Sequence, residues 1–312
     1  MSDFAFVFPG QGSQAVGMLD AWGDHPAVRQ TLEEACEALG EDIGALIHAG
    51  PKDQLDLTTN TQPVMLTAGI ACYRAWLAET RLLPSVVAGH SLGEYTALVA
   101  AGALALADAL PLVRFRAQAM QAAVPVGVGA MAAILGLDAQ AVRDGCAEVA
   151  RASGEVVEAV NFNDPRQTVI AGTRAGVEKA CEVLKASGAK RALPLPVSAP
   201  FHSRLMKPAA EQLLVRLAAT SFATPVIAVV NNVDVAVESD PNTIRDALYR
   251  QAFGPVRWVE VVQAIRARGV GHFIECGPGK VLAGTVKRIE PDAVSAALVD
   301  PATLADIKGM LQ

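Results

Sequence analysis

The ten residues from Val86 to Tyr95, V-V-A-G-H-S-L-G-E-Y, constrain this chain more than any other stretch of it. A β-branched run closes at Ala88, Gly89 to Gly93 spells G-x-S-x-G, and an alanine-rich helical pattern starts at once. Strand, sharp turn and helix in that order require a tight turn. Glycines are needed where a side chain would clash, and Ser91 is then lifted on strained backbone at the end of a buried strand. The helix behind it aims backbone N–H groups and the positive end of its dipole at the same spot, which suits a developing oxyanion. Leu92, directly after the serine, would donate one such N–H. A pattern this short also arises by chance in ordinary strand-to-helix turns, so the rest of the chain has to decide.

Around this stretch strands and helices alternate. Phe4 to Phe8 reads as a buried strand running into F-P-G-Q-G-S-Q. Gly10, Gly12 and Ala15 formally match a dinucleotide-binding spacing, but that reading needs a second strand and an acidic residue about 20 positions on. Ala27 to Leu39 has helical periodicity instead, so a loop placing N–H groups beside a nucleophile, or a plain turn, fits better. Pro63 to Trp76 reads as a helix, with Asn60-Thr61-Gln62 as caps and Pro63 in its first turn. Leu92 to Ala101 and Leu106 to Ala122 read as two helices broken at Gly102.

At Val124 to Gly129 the composition changes, and a β-α-β-β-α-β pattern follows to Pro196, capped at Asp138 and Thr173. That is the order of a ferredoxin-like unit. The main pattern resumes with A-P-F-H-S at 199–203 and adds strands at Val226 to Val230 and His272 to Cys276. The expected fold is α/β: a mostly parallel sheet with helices on both faces, an α/β-hydrolase-like core of residues 1–126 and 198–312, and an inserted ferredoxin-like α+β subdomain, 127–197. Sites in such sheets lie at the carboxyl ends of strands, where Pro9-Gly10-Gln11, Ser91, Asn231 and Gly277 all fall.

Composition narrows the function classes. A formal net charge of −6 argues against a nucleic-acid or anionic-membrane surface. The longest apolar stretch, Ala97 to Ala107, is far short of the ~20 residues a membrane helix needs. The first residues, M-S-D-F-A-F-V-F, lack the basic region of a signal peptide. Five scattered cysteines without C-x-x-C spacing read as reduced packing residues of a cytoplasmic protein rather than metal ligands.

A serine nucleophile needs a base. Of five histidines, His25 lies in a polar loop, His48 at a helix end, His272 in an apolar strand, and His90 points to the other side of its strand. His202 remains, either as base or as a helix-capping residue. No carboxylate announces itself as a third member, since Glu158 and Asp164 fall in the inserted unit. A backbone or amide oxygen would then orient the imidazole. Arg116, in the apolar run L-V-R-F-R-A-Q-A-M, either lies along the surface or enters the pocket to take a carboxylate through two parallel hydrogen bonds.

In order along the chain, F-P-G-Q-G-S-Q at 8–14, T-Q-P at 61–63, G-H-S-L-G-E at 89–94, Arg116 with M-Q-A-A-V-P at 120–125, G-A-M-A-A at 129–133, N-F-N at 161–163, A-P-F-H-S at 199–203, N-N-V-D at 231–234 and E-C-G-P-G at 275–279 resemble the malonyl-CoA:acyl carrier protein transacylases. The resemblance implies that Ser91 is acylated, that His202 is the base, and that the Gln251 backbone carbonyl orients it. It implies Gln11 and Leu92 as oxyanion-hole donors, Arg116 as the ligand of the malonyl carboxylate, and Phe201 as a residue crowding the substrate α-carbon. The implied reaction is ping-pong transfer of malonyl from coenzyme A to the phosphopantetheine thiol of an acyl carrier protein, supplying fatty acid biosynthesis, without metal or redox cofactor. The expected partners are malonyl-CoA and the carrier protein, with no nucleic acid and no membrane, and the chain is expected to act as a monomer. Arg166, Lys190, Arg191 and Lys207 are candidates for docking an acidic carrier protein, or are plain solvated charges. Related enzymes of polyketide or malonate decarboxylase pathways, a serine thioesterase and a non-catalytic carrier-binding module are the alternatives.

Overall fold

The computed structural model describes residues 3–197 and 199–312. Position 198, where one domain boundary is expected, and the first two residues of the N-terminal segment lie outside the described residues. The main part contains β1 (Phe4–Phe8), α1 (Pro26–Leu39), α2 (Ile43–Ala49), α3 (Lys52–Leu55), α4 (Thr58–Thr80), β2 (Val86–Gly89), α5 (Gly93–Ala100) and α6 (Leu106–Ala122). There follow β3 (Gly129–Leu135), α7 (Ala139–Ser153), β4 (Val157–Asp164), β5 (Gln167–Thr173), α8 (Arg174–Ala186) and β6 (Arg191–Pro194). The chain then runs through α9 (Lys207–Ala219), β7 (Ala228–Val230), α10 (Pro241–Gln251), α11 (Trp258–Ala267), β8 (His272–Cys276), α12 (Val281–Ile289), β9 (Val294–Leu298) and α13 (Pro301–Leu311).

Five strands form a parallel sheet in the order β7-β2-β1-β8-β9. Successive side chains of a strand point to opposite faces, and in β1 both faces are buried. Phe4, Phe6 and Phe8 turn to the side of α4, where Phe6 meets the Trp76 and Tyr73 rings edge-on at 5.7 and 5.9 Å. Ala5 and Val7 turn the other way, onto Trp258, Val261 and Val262 of α11. Each fully buried phenylalanine contributes about 1.5–3 kcal/mol, so the central strand is fixed on both sides. All five carboxyl ends consequently open on one edge.

The second sheet has four strands, β4-β5-β3-β6, paired antiparallel, with Asp138 and Thr173 as side-chain caps of α7 and α8. It is joined to the main part through backbone. The Val256 N–H donates to Val160 O at 2.8 Å, and the Phe162 N–H donates to Val256 O at 3.0 Å. An ion pair from Arg288 of α12 to the buried Asp164 closes the same seam at 2.6 Å.

Two sequence expectations need correction. The helix expected from Pro63 begins at Thr58, with Pro63 in its interior and no side-chain cap. The Leu57 carbonyl closes the leading turn by accepting from the Asn60 and Thr61 N–H groups, and the Thr61 hydroxyl donates to Leu55 O. These bonds hold the turn that precedes the proline. The elements α3, β9 and α13 were not expected at all, and of α2 only its end near His48 was, although Asp300 and Thr303 form a capping box for α13.

Glu275, at the end of β8, is fully buried, and its Oε2 accepts the Ala283 N–H at 2.8 Å. Burial pushes its carboxyl up to about 7, against the opposing pull of the N–H groups of Ala283, Leu282 and Val281. The folded protein therefore keeps a proton that the unfolded chain releases near 4.5, and stability falls as pH rises through that window. Glu275→Gln should gain on the unmutated protein between pH 4.5 and 7.5, by up to roughly 3 kcal/mol. Urea midpoints at the two pH values measure this; an unchanged difference would mean that the carboxyl is already ionised at the lower one.

Candidate active site

The turn after β2 is built by close approach. A Cβ at Gly89 would lie 1.9 Å from the Gly93 carbonyl, and one at Gly93 would lie 2.1 Å from the Phe8 oxygen. Neither position tolerates a side chain, and Ser91 between them has φ of +53°. This is a sparsely populated conformation for a residue with a Cβ, held because the surroundings over-determine it. His202 shares the property, with φ of +65° in the turn before α9.

The two residues meet. Ser91 Oγ lies 2.7 Å from His202 Nε2, and His202 Nδ1 lies 2.9 Å from the carbonyl of Gln251, the last residue of α10. A carbonyl only accepts, so Nδ1 carries the proton and Nε2 is left to accept from the serine hydroxyl. Burial, reinforced by the Arg116 charge, holds the imidazole down to about 3, with the Gln251 carbonyl opposing. The ring is neutral and ready to take a proton. Neither acidic candidate of the inserted unit reaches it: Glu158 pairs with Arg204, and Asp164 with Arg288.

Arg116 is buried, 2% exposed, which settles its orientation. Its Nη1 donates to Gln62 Oε1 at 2.8 Å, and its Nη2 donates to Gln251 Oε1 at 3.1 Å and to Ser91 Oγ at 3.3 Å. Among the described residues its Nε has no hydrogen-bond partner, and the Tyr95 ring lies 5.4 Å below the guanidinium. Burying a cation this way is costly unless an anion comes to it. Arg114, two residues earlier, instead pairs with Glu41 outside the pocket.

A cavity of about 190 Å³ opens in front of Ser91. Gln11, Gln62, Leu92 and Phe201 line it from the main part, while Met131, Val169 and Leu195 line it from the small sheet. Leu92 stands at the N-cap of α5, and the Gln11 side chain donates to the Thr58 hydroxyl at 3.2 Å. The sheet ends thus bring together Gln11, Ser91, Leu92, Arg116, Phe201, His202 and Gln251. His90, expected on the other side of its strand, instead lines the same cavity, where its Nε2 meets Asn163 Oδ1 at 2.8 Å, because the chain leaves the extended strand at this residue. His25, His48 and His272 lie elsewhere, at the N-cap of α1, in the last turn of α2 and at the start of β8.

Sequence reasoning missed two groups. Asn232 accepts the Ser91 N–H through Oδ1 at 2.7 Å and donates through Nδ2 to Gly89 O at 2.7 Å. Glu94, buried in α5, accepts from the Asn232 N–H and from Gln251 Nε2. Burial raises its carboxyl to about 7. A carboxylate in an otherwise apolar helix, E-Y-T-A-L-V-A, was the signal available for it.

Arg166, Lys190 and Arg191 are exposed and gather at one end of the small sheet, where the Lys190 N–H donates to Leu135 O and the Gly136 N–H donates to Arg166 O. Lys207 stands apart on α9. Among the described residues no group of three or more His, Cys, Asp or Glu could hold a metal ion, and no helix is long and apolar enough to cross a membrane. All five cysteines are unpaired.

With this geometry in hand, comparison with known proteins is specific. Residues 5–306 match the acyl transferase domain family. The chain is 53% identical over 306 residues to the malonyl CoA-acyl carrier protein transacylase of Escherichia coli K12, covering 98% of each chain. It is 46% identical to the Bacillus subtilis 168 protein of the same name, covering 97% of this chain and 96% of that one. Among solved structures, the acyl-carrier-protein S-malonyltransferase of Burkholderia pseudomallei 1710b superposes with a TM-score of 0.97 at 67% identity, covering 98% of this chain and 99% of that one. A malonyl-transacylase in complex with its holo type II PKS acyl carrier protein superposes with a TM-score of 0.96 at 49% identity, covering 99% of this chain and all of that one.

Proposed function

The chain belongs to the acyl transferase family, and from that premise we propose that it transfers malonyl from coenzyme A to the phosphopantetheine thiol of an acyl carrier protein, supplying fatty acid synthesis in the cytoplasm. The observation that carries this reading is the buried Arg116, whose Nη2 lies 3.3 Å from Ser91 Oγ. A fixed guanidinium within reach of the acyl group has a use when that group ends in a carboxylate, and none when it ends in methyl.

In the proposed mechanism His202 Nε2 takes the proton of Ser91 as Oγ attacks the thioester carbonyl. The tetrahedral oxyanion rests on the backbone N–H groups of Gln11 and Leu92. The imidazolium, held through Nδ1 by the Gln251 carbonyl, then protonates the departing thiolate and leaves malonyl-Ser91. The carrier-protein thiol enters by the same path, gives its proton to His202 and takes the malonyl group as the bond to Ser91 Oγ breaks, and the imidazolium returns the proton to Oγ, which restores the serine. Arg116 holds the malonyl carboxylate throughout, and Phe201 narrows the space at the α-carbon. Transfer between thiols through a serine ester is redox-neutral, so the mechanism calls on no metal or redox cofactor. One chain supplies every group named, which supports action as a monomer. Arg166, Lys190 and Arg191, gathered at one edge, are proposed as a basic docking site for the carrier protein, with Lys207 a separate contact.

Intact-mass measurement tests the reading. Malonyl-CoA should leave a malonyl adduct on the protein, acetyl-CoA much less, and holo carrier protein should then discharge the adduct with malonyl appearing on its own thiol. Release of the adduct to free malonate instead would favour a thioesterase, and equal malonyl and acetyl loading would remove Arg116 from the substrate site.

A further inference from the structure

Glu94 stands behind the reacting groups and touches none of the atoms that react. It is 2% exposed, and its Oε2 accepts from the Asn232 N–H at 2.8 Å and from Gln251 Nε2 at 3.0 Å. Two amide side chains lead forward from there. Asn232 holds the Ser91 N–H. Gln251 donates from Nε2 to Ser91 O at 3.0 Å, accepts from Arg116 Nη2 through Oε1 at 3.1 Å, and receives His202 Nδ1 on its backbone carbonyl. The nucleophile, the base and the arginine are all held by residues that Glu94 holds.

The part that Glu94 plays follows from the symmetry of an amide. A glutamine side chain can be turned end for end with almost no change of shape, so its own packing does not choose which end faces which neighbour. Glu94 Oε2 already accepts the backbone N–H of Asn232, and it remains an acceptor whether the carboxyl is ionised or carries its proton on Oε1, so the NH₂ end of Gln251 must face it. Its oxygen is then committed to Arg116. In the reverse orientation, the NH₂ group would point at guanidinium N–H groups that also donate. Arg116 would lose one of the two amide oxygens that hold it, keeping only Gln62 Oε1 at 2.8 Å.

We propose that Glu94 is a positioning residue for acyl selectivity, which fixes the Gln251 amide and so keeps the Arg116 fork aimed at the acyl group on Ser91. The inference rests on the reading of Arg116 as the malonyl-carboxylate ligand. It separates Glu94 from a merely structural buried carboxylate. Loss of packing would slow both acyl donors alike, whereas a displaced arginine slows only the donor with a carboxylate. A glutamine at this position still offers one carbonyl oxygen to the same two N–H donors, so it should replace the carboxylate in this role.

The experiment measures the second-order rate of acyl-serine formation from malonyl-CoA and from acetyl-CoA, by quenched intact mass, in the full-length protein and its variants. In Glu94→Ala the malonyl-to-acetyl ratio should fall by roughly 10-fold or more, the scale of losing a hydrogen bond to a charged group. In Glu94→Gln the ratio should stay within about 3-fold of the unmutated value. Gln251→Met, which keeps the backbone carbonyl for His202 and removes the amide, should reproduce the fall and serves if Glu94→Ala does not fold. An equal loss for both donors in Glu94→Ala, an unchanged ratio in Gln251→Met, or a ratio not restored by Glu94→Gln would overturn the inference while leaving the proposed function standing. If the unmutated protein shows no preference for malonyl, the functional reading itself fails before Glu94 is tested.

Discussion

Ser91→Ala and His202→Ala each lower malonyl transfer by roughly 10⁴–10⁶, and the double replacement lowers it little further, because nucleophile and base act as one unit. The geometry behind this is the 2.7 Å contact between Ser91 Oγ and a neutral His202 Nε2. With the alanine at 91 there is no oxygen to acylate, so the adduct must vanish even at high malonyl-CoA. With the alanine at 202 the serine hydroxyl remains but has no acceptor for its proton, so the adduct should still form, far more slowly. Single-turnover loading followed by intact mass separates the two, with circular dichroism to show that both variants fold. An adduct persisting in Ser91→Ala would place the nucleophile elsewhere.

Arg116→Ala should lower malonyl loading by about 100- to 1,000-fold while acetyl loading is kept or improved, so the selectivity disappears rather than the chemistry. The arginine is held from two sides by Gln62 and Gln251, which leaves further N–H donors on the Ser91 side for a bidentate contact. Arg116→Lys keeps the charge but offers a compact ammonium on a flexible stem, and should recover only part of the loss. Arg116 is also one cause of the low His202 pKa, so in either variant whose cation is gone or displaced the imidazole should titrate higher. Loading rates for the two donors across pH 5–8 check both effects. Equal losses for malonyl and acetyl would show that Arg116 holds the site together and does not read the carboxylate.

What was legible in the sequence was whatever a local pattern forces. The strand ending at Gly89, the serine and the helix from Gly93 could be read directly, because two glycines with no room for a Cβ leave a signature in the chain itself. The caps at Asp138 and Thr173 were legible for the same reason. The pattern did not disclose the start of α4, because a helix buried on nearly every side has no amphipathic edge to mark where it begins. The strand β9, V-S-A-A-L, is short, small and only half-buried, and carries almost no β-branched signal. For the site, residues alone left His202 and Arg116 each with two readings, since neither position says what is opposite it in space. The resemblance singled out the same residues, and the distances now bring them together. Glu94 and Asn232 stood in the motifs quoted but were given no role, because their partners lie 138 and 141 residues away along the chain.

The seam at Val256 has a consequence for how this molecule can change over time. The small sheet is fastened to the main part by two backbone hydrogen bonds that any residue other than proline can supply, with the Arg288–Asp164 and Arg204–Glu158 ion pairs beside them, and the cavity lies between the two bodies so joined. The spacing of its walls is therefore set by main chain and a few charged pairs at the seam, not by the side chains on the outer surfaces. Substitutions on the outer faces of α7, α8 or the small sheet can accumulate, and a new docking partner can be accommodated there, without altering the gap in front of the serine.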